Sequence, residues 1–302
     1  MILFYFFIFP GFLFTAVAGM LASWVDRKVT ARIQWRVGPP WYQNFADFVK
    51  LLGKETIVPQ GAKWTFLFSP FLALTAVTLV ATLLGVSLLN SNVSFLGDLI
   101  VVLYLLIIPT LAVILGASAS ANPLASVGAS REMKLVLGYE LPFILAVLVP
   151  VVKTGGQLKI SEILNYQAMH GSIWFSPSGV LAFLVAIICM QAKLGYVPFD
   201  MAEAEQEIAA GTYIEYSGLP LAIFKLTRQM LLVVLPLFLI TLFWAFSFSI
   251  WWKILKYVVL LVVIVLIKNT NPRLKIDQAV KFFWGPMTFL AVIALVLAIL
   301  GQ

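Results

Sequence analysis

The chain has 302 residues, of which 62% are hydrophobic and 11% are charged, whereas roughly 25% of the residues in a soluble domain are charged. The formal net charge of +7 would suit nucleic-acid binding in a soluble protein, but here the basic residues lie beside long apolar runs, where they set membrane topology. We therefore expect a membrane protein that sits in the lipid bilayer and has no nucleic-acid partner.

Apolar runs of membrane-spanning length occur along the whole chain, at 2–25, 66–90, 96–117, 132–152, 178–197, 222–247, 252–268 and 283–301. The first run lacks a basic start and is followed directly by Arg27 and Lys28, so we expect a retained span rather than a cleaved signal peptide. The predicted fold class is an all-α integral membrane protein, a single polytopic domain over residues 1–302 with about eight transmembrane helices.

Basic residues are distributed unevenly between the two sets of connections. One set holds only Lys153, Lys159, Lys253 and Lys256, which leaves 16 of the 20 Lys and Arg residues for the other set and its helix ends. Cytoplasmic loops carry the excess of basic residues in membrane proteins. This asymmetry predicts cytoplasmic loops at 26–65, 118–131, 198–221 and 269–282, and an N-terminus on the outside.

The first cytoplasmic loop carries an amphipathic pattern. Apolar residues alternate there with charged ones, namely Phe45, Phe48, Val49, Leu51 and Leu52 with Asp47, Lys50 and Lys54. Such a pattern is typical of a short helix that lies in the plane of the membrane interface. We therefore expect an amphipathic interfacial helix in this loop.

Glu140 falls about eight residues into the fourth predicted span, roughly 12 Å below the interface. An acidic side chain at mid-membrane costs about 2.5 to 3.5 kcal/mol, so it should be neutral, paired or in contact with a hydrated cavity. Pro142 frees the carbonyl of Gly138 close by. Two interpretations remain open: a protonated glutamate bonded to that carbonyl, or a member of a proton relay.

The acidic loop, residues 198–221, lies in a stretch without Lys or Arg from Leu194 to Phe224. It contains five carboxylates, namely Asp200, Glu203, Glu205, Glu207 and Glu215. If the segment is helical, Glu203 and Glu207 lie one turn apart on one face, where two like charges repel and a proton can be shared. The alternative is an ordinary solvated acidic stretch.

Redox centres and zinc sites usually need several Cys or His ligands. The chain has one of each, Cys189 inside an apolar run and His170 in a polar connection. We expect Cys189 to serve packing and His170 to be solvated, so that this chain binds no cofactor and no metal.

Charged residues of the cytoplasmic loops are candidates for docking a peripheral subunit. Positive-inside anchoring explains much of their charge, but not the length of the loops or their Gly-Pro and Asn-Pro turns. The candidate docking residues are Arg27, Lys28, Arg32, Arg36, Asp47, Lys50, Lys54, Glu55, Arg131, Glu132, Arg273, Lys275 and Asp277.

Four stretches in order along the chain resemble one family, the complex I heel subunit and its relatives in energy-converting membrane-bound NiFe hydrogenases and formate hydrogenlyases. The first stretch runs from Asp26-Arg27-Lys28 to Arg36-Val37-Gly38-Pro39 and includes residues 46–55, and the second is Tyr139-Glu140. The third is residues 202–207, which continues to Glu215-Tyr216-Ser217-Gly218. The fourth is Asn271-Pro272-Arg273 with Asp277-Gln278.

The resemblance implies a subunit that joins a hydrophilic electron-transfer arm to antiporter-like pumping subunits by passing protons. By matching position, the proton-relay residues would be Tyr139, Glu140, Asp200, Glu203, Glu205, Glu207 and Glu215. The implied partners are peripheral NiFe-hydrogenase-like and iron–sulfur subunits, which would hold the NiFe centre and the iron–sulfur clusters.

Departures from the complex I pattern favour one branch of the family. Pro40 and the short run 41–44 stand where the complex I pattern has an asparagine and a glycine-rich insert, which puts a quinone cavity in doubt. Residues 128–132 resemble the hydrogenase and formate hydrogenlyase branch. We therefore predict a quinone-independent, ferredoxin-linked, hydrogenase-type complex in the plasma membrane of a prokaryote. Alternatives are a quinone-reducing complex I subunit, a related sulfur-reducing complex, and a stand-alone ion transporter.

Overall fold

The structure, a computed structural model, describes residues 2–59, 61–89, 94, 97–245 and 250–301, without the side chains of Ile2, Glu205, Gln206 and Ile250. Within these ranges the chain is helical and contains no β-strand. The helices are α1 Ile2–Phe7, α2 Phe12–Ile33, α3 Gln43–Leu52, α4 Lys63–Leu89, α5 Asp98–Ala119, α6 Pro123–Lys153, α7 Ile160–His170, α8 Pro177–Lys193, α9 Glu205–Ile208, α10 Gly218–Phe243, α11 Ile250–Thr270, α12 Ile276–Phe282 and α13 Thr288–Ile299.

Among the described residues, six helical segments are long and apolar enough to cross a membrane: Leu3–Ile33, Lys63–Leu89, Asp98–Ala119, Pro123–Lys153, Gly218–Phe243 and Ile276–Ile299. They coincide with six of the predicted spans. The other two predictions, 178–197 and 252–268, fall on α8, which has 17 residues, and on α11, which has 21. The all-helical membrane fold is confirmed, while the count of eight spans stays a prediction.

Several helices extend beyond the predicted loop boundaries. α2 continues to Ile33, and α6 begins at Pro123, so most of the predicted loop 118–131 is helical. The early start of α6 has a local cause, because the side chain of Asn122 accepts a hydrogen bond from the backbone N–H of Leu124 and proline suits the first helical position. The amphipathic helix predicted in the first cytoplasmic loop is confirmed as α3.

α10 is the most buried of the spanning helices and forms the centre of the bundle. α2 and α4 pack against it, α5 packs against α4, and α6 packs between α8 and α13. α3 lies against both α2 and α10, where the side-chain amide of Asn44 donates a hydrogen bond to the backbone carbonyl of Met20 at 2.7 Å. This hydrogen bond fastens α3 to α2.

The acidic loop is held tightly against its neighbours. The backbone of α6 approaches it so closely at Gly128 that a methyl group there would lie 2.8 Å from the backbone nitrogen of Thr212. Further along, the Tyr216 ring stacks on Phe66 at 4.0 Å, and its hydroxyl is 3.0 Å from that of Ser69. The loop therefore has a defined path across one end of the bundle.

Candidate functional site

Glu140 is paired inside the helix bundle. Its carboxylate lies 2.7 Å from the ammonium of Lys193, at the end of α8, and the two side chains are 15% and 2% exposed. The ammonium also lies over the rings of Tyr139 and Phe143, at 5.0 and 4.8 Å from their centroids. Glu140 thus uses a cation and not the Gly138 carbonyl as its partner, although Pro142 does lie within α6.

A second ion pair joins the acidic loop to α10. Arg228 lies 2.5 Å from a carboxylate oxygen of Glu203, and its other nitrogens donate to the backbone carbonyls of Leu194 and Gly195. All three contacts come from one guanidinium group, whose donors have a fixed planar arrangement. Arg228 therefore fastens both the end of α8 and the start of the acidic loop to the central helix.

A third pair crosses from α2 to α11, with Asp26 2.8 Å from Lys268. The Asp26 carboxylate is 4% exposed, so the cation is its main compensation. The Tyr196 ring is close to two of these cations, with Lys268 at 4.8 Å and Arg228 at 5.1 Å from its centroid. Tyr196 thus links the second and third pairs.

Three further carboxylates of the acidic loop bind separate partners. Asp200 lies 2.7 Å from Arg273, Glu207 lies 2.6 Å from Arg131, and Glu215 accepts a hydrogen bond from Asn122 at 2.5 Å. These partners come from three different parts of the chain. The absence of Lys and Arg within the loop is therefore offset by cations supplied from outside it.

The helical interpretation of the acidic loop is wrong at Glu203. The helix there, α9, covers only Glu205–Ile208, and positive φ values of 53° at Ala209 and 52° at Gly211 end it. Glu203 and Glu207 are not on one helix face, since each pairs with a different arginine. The Glu205 side chain lies outside the described residues.

Two of these ion pairs meet at a small cavity, here called the inner cavity, of about 50 Å³. It is lined by charged residues from four elements, Glu132, Lys193, Asp200, Glu203 and Arg228. Thr212, which is 2% exposed, also lines it, and its hydroxyl oxygen has no hydrogen-bond partner among the described residues. One carboxylate oxygen of Asp200 and one of Glu140 also have no hydrogen-bond partner among the described residues.

The sequence predicts Glu132 as a docking residue, and in the structure its side chain is half-buried. The side chain lines the inner cavity, eight residues before Glu140 on α6, which is about 12 Å along the helix axis. The predicted span begins at residue 132, which would place Glu132 at the membrane surface. The helix instead begins at Pro123, so Glu132 lies nine residues after its start and not at its first residue.

A larger cavity, here called the outer cavity, opens between α2, α3 and α10 and has a volume of about 740 Å³. It shares Gly195, Asp200, Glu203 and Arg228 with the inner cavity. The shortened run after Pro40 therefore does not remove a cavity beside α3.

Three tyrosines next to the site lie outside the spanning helices. Burial raises the pKa of Tyr216 to about 12, although its hydrogen bond with Ser69 acts in the opposite direction. Burial also raises the pKa of Tyr196 and Tyr213, with the negative charges of Asp26 and Glu203 respectively adding to the effect. All three hydroxyls therefore stay neutral at physiological pH.

Most of the other predicted docking residues lie at the surface. Arg32, Arg36, Lys50, Lys54, Glu55, Lys275 and Asp277 are exposed. Lys28 donates to the carbonyl of Gly38, and Arg27 binds Asn44 at 2.7 Å and Asp47 at 3.5 Å. Arg131 and Arg273 are instead engaged with the acidic loop.

Lys193, Arg228, Asp26 and Lys268 are central to the site, yet the sequence did not identify them as ion-pair partners. Lys193 and Arg228 lay within predicted apolar spans, Lys268 was counted with the basic residues of the last loop, and Asp26 was noted only in the motif Asp26-Arg27-Lys28. One signal was present, because Lys193 and Arg228 both lie inside predicted spans, where a charge needs a partner. Among the described residues no group of three or more His, Cys, Asp and Glu side chains is arranged to hold a metal ion, and Cys189 is buried.

Fold and site together define a multi-pass helical membrane protein with a network of buried ion pairs at one end. The sequence model of the family described as NADH dehydrogenase matches residues 6–299. The chain therefore belongs to this family and is a membrane subunit of a complex related to respiratory complex I.

Named relatives come from more than one kind of complex. The chain is 33% identical to a subunit of the NADH-quinone oxidoreductase of Thermomicrobium roseum, over 93% of this chain and 91% of that one. It is 32% identical to formate hydrogenlyase subunit 4 of Escherichia coli, over 94% of this chain and 95% of that one. A solved chain of the membrane-bound sulfane sulfur reductase, an archaeal respiratory membrane complex, matches with a TM-score of 0.86 and 30% identity, over 95% of this chain and 96% of that one.

Proposed function

We propose that this chain is the coupling subunit of a ferredoxin-linked, hydrogenase-type membrane complex, in which it joins a peripheral electron-transfer arm to ion-pumping membrane subunits. The likeness to formate hydrogenlyase subunit 4 supports the hydrogenase branch. Residues 128–132, which resemble that branch, form part of α6 directly under the acidic loop. The arm would carry the NiFe centre and the iron–sulfur clusters.

The observation that carries the proposal is the inner cavity, because it lies between two charged pairs at different depths. The pair Glu203–Arg228 is on the acidic loop side, and the pair Glu140–Lys193 is deeper in the bundle. Glu132 lines the space between them. A proton that neutralises Glu203 would release Arg228, and the change in charge would be felt by the neighbouring pair, since electrostatic interactions are strong away from water.

Water would complete the relay. A cavity needs roughly 10–15 Å³ of accessible volume to hold a water molecule, and buried polar atoms are nearly always satisfied. The inner cavity exceeds that volume and contains hydroxyl and carboxylate oxygens without protein partners among the described residues. The relay we propose runs from Glu203 through Glu132 to Lys193 and Glu140, with Asp200 at its entrance.

Replacement of Glu140 tests the relay. Glu140→Gln keeps the size of the side chain but cannot ionise, so proton transfer should fail while the complex still assembles. We expect redox turnover with an artificial donor in detergent to stay within a few-fold of the parent, and ion translocation in proteoliposomes to collapse. Glu140→Asp should keep partial pumping.

Glu162→Gln is the matched control, because Glu162 pairs with Lys159 far from both cavities and its loss should leave pumping intact. Unchanged pumping stoichiometry in Glu140→Gln would show that Glu140 is only a paired structural residue. The type of complex is tested separately, by mild-detergent purification with identification of partners and metals. Nickel with iron–sulfur protein supports the hydrogenase-type assignment.

A second candidate is the quinone-site subunit of an NADH:quinone oxidoreductase. It is favoured by the outer cavity and by the identity to the NADH-quinone oxidoreductase subunit of Thermomicrobium roseum. Flavin, NADH oxidation and extractable quinone in the purified complex would support this candidate against the hydrogenase-type assignment.

A further inference from the structure

The outer cavity has an unbalanced charge. Seven cationic side chains line it, namely Arg27, Lys50, Lys54, Lys225, Arg228, Lys268 and Arg273, whereas the acidic lining residues are Asp47, Asp200 and Glu203. Four of the cations are paired: three with these acids, and Lys268 with Asp26, which does not line the cavity. Lys50, Lys54 and Lys225 have no ion pair among the described residues.

The same cavity also has an apolar part. Phe48 and Leu51 line it from α3, and Leu226 lines it from α10. It extends along α2 as far as Ser23, ten residues before the helix ends at Ile33, which is about 15 Å along the axis. A ligand that fills it would be amphiphilic, with an anionic end near the lysines and an apolar end beside Phe48, Leu51 and Leu226.

α3 is amphipathic and forms one wall of the outer cavity. Its outward side presents Val49 and Leu52, which are exposed, next to the exposed Lys50. Exposed apolar and basic side chains on one short helix are typical of a helix at the membrane interface. Basic pockets between helices on the cytoplasmic side of membrane proteins bind anionic lipid headgroups.

From this charge and shape we propose that the outer cavity binds an anionic phospholipid, with its phosphate held by Lys50, Lys54 and Lys225 and an acyl chain along Phe48, Leu51 and Leu226. The bound lipid would neutralise the three unpaired lysines. It would also seal the entrance to the Glu203–Arg228 pair, which is shared with the inner cavity.

The test uses the intact complex, purified in mild detergent, depleted of lipid and then exposed to vesicles of phosphatidylglycerol or phosphatidylcholine. Retained lipid is measured by native mass spectrometry. The parent complex should retain phosphatidylglycerol in preference to phosphatidylcholine. Each lysine-to-glutamine change should weaken retention about fivefold, and the combination of Lys50→Gln, Lys54→Gln and Lys225→Gln roughly 100-fold.

A matched control carries the same change in charge elsewhere. Lys63→Gln, Lys134→Gln and Lys281→Gln alter exposed lysines that do not line the outer cavity, and this combination should retain lipid like the parent. Lys50 and Lys54 are also candidates for docking a peripheral subunit, so their replacement could weaken both lipid binding and subunit attachment. Lys225→Gln alone separates these two effects. It should weaken lipid retention about fivefold with the peripheral subunits still attached.

Several results would overturn the proposal. Equal retention of lipid in the two triple variants would do so, and so would displacement of the lipid by inorganic phosphate, which would indicate a simple anion site. A photo-crosslinking amino acid placed at Leu51 should capture lipid. Capture of a partner polypeptide or of a quinone there would assign the cavity to a different occupant.

Discussion

The ammonium of Lys193 and the carboxylate of Glu140 lie 2.7 Å apart although they are separated by 53 residues and are almost fully removed from solvent. The ammonium is further surrounded by the rings of Tyr139 and Phe143. Each charge therefore depends on the other, because bulk water can solvate neither of them fully. This mutual dependence makes the pair sensitive both to mutation and to protonation.

The first prediction concerns the stability of this pair. Lys193→Met leaves Glu140 as an unpaired buried carboxylate, which should destabilise the protein by about 3 to 5 kcal/mol. Adding Glu140→Gln removes the remaining charge, so the double variant should melt at a higher temperature than Lys193→Met alone. Thermal unfolding of the purified complex would measure this. Equal melting temperatures for the two variants would mean that the charges are not coupled.

The second prediction separates two glutamates of the acidic loop. Glu203 lines both cavities, whereas Glu207 forms a pair with Arg131 and its side chain is 63% exposed. Exposed ion pairs contribute little. Glu203→Gln should therefore abolish most ion translocation in proteoliposomes, while Glu207→Gln should keep more than half of it. Equal loss in both variants would indicate that the loop acts as a whole and not through the inner cavity.

The third prediction is a loss of stability at alkaline pH. The pKa of Tyr216 is raised to about 12 from an unperturbed value near 10. A raised pKa contributes stability that is fully present below pH 10 and is lost as the pH rises toward 12, because the unfolded chain ionises first. The melting temperature should fall over this window, and less so in Tyr216→Phe. Tyr104→Phe, at an exposed side chain, should behave like the parent.

The fourth prediction concerns orientation. Cysteines introduced at Lys54, Arg131 and Lys275 should react with a membrane-impermeant maleimide from the cytoplasm, and one at Lys159 should react from outside. The only native cysteine, Cys189, is buried and should give little background. Arg131 donates to the backbone of the acidic loop, so it lies at the same end of the bundle as that loop. Labelling of Lys159→Cys from the cytoplasm would reverse the orientation.

The sequence by itself determined the class of fold, the approximate positions of six spanning helices and the amphipathic helix α3. These features depend on local properties, namely the length of apolar runs and the periodicity of side chains along one helix. The family could also be recognised, because its motifs are short stretches that can be read directly along the chain. Glu140 could also be identified as a buried charge that needs a partner, because its position within an apolar run can be read along the chain.

Only the tertiary structure decided which charges meet. Lys193 and Arg228 belong to different helices from the carboxylates they bind, and the inward position of Glu132 depends on where α6 begins. The acidic loop does not form one continuous helix, and its residues Glu207, Glu203 and Asp200 bind cations from α6, α10 and the segment after α11 respectively. Such pairings depend on how helices pack in three dimensions, and spacing along the chain carries no information about distances between separate helices.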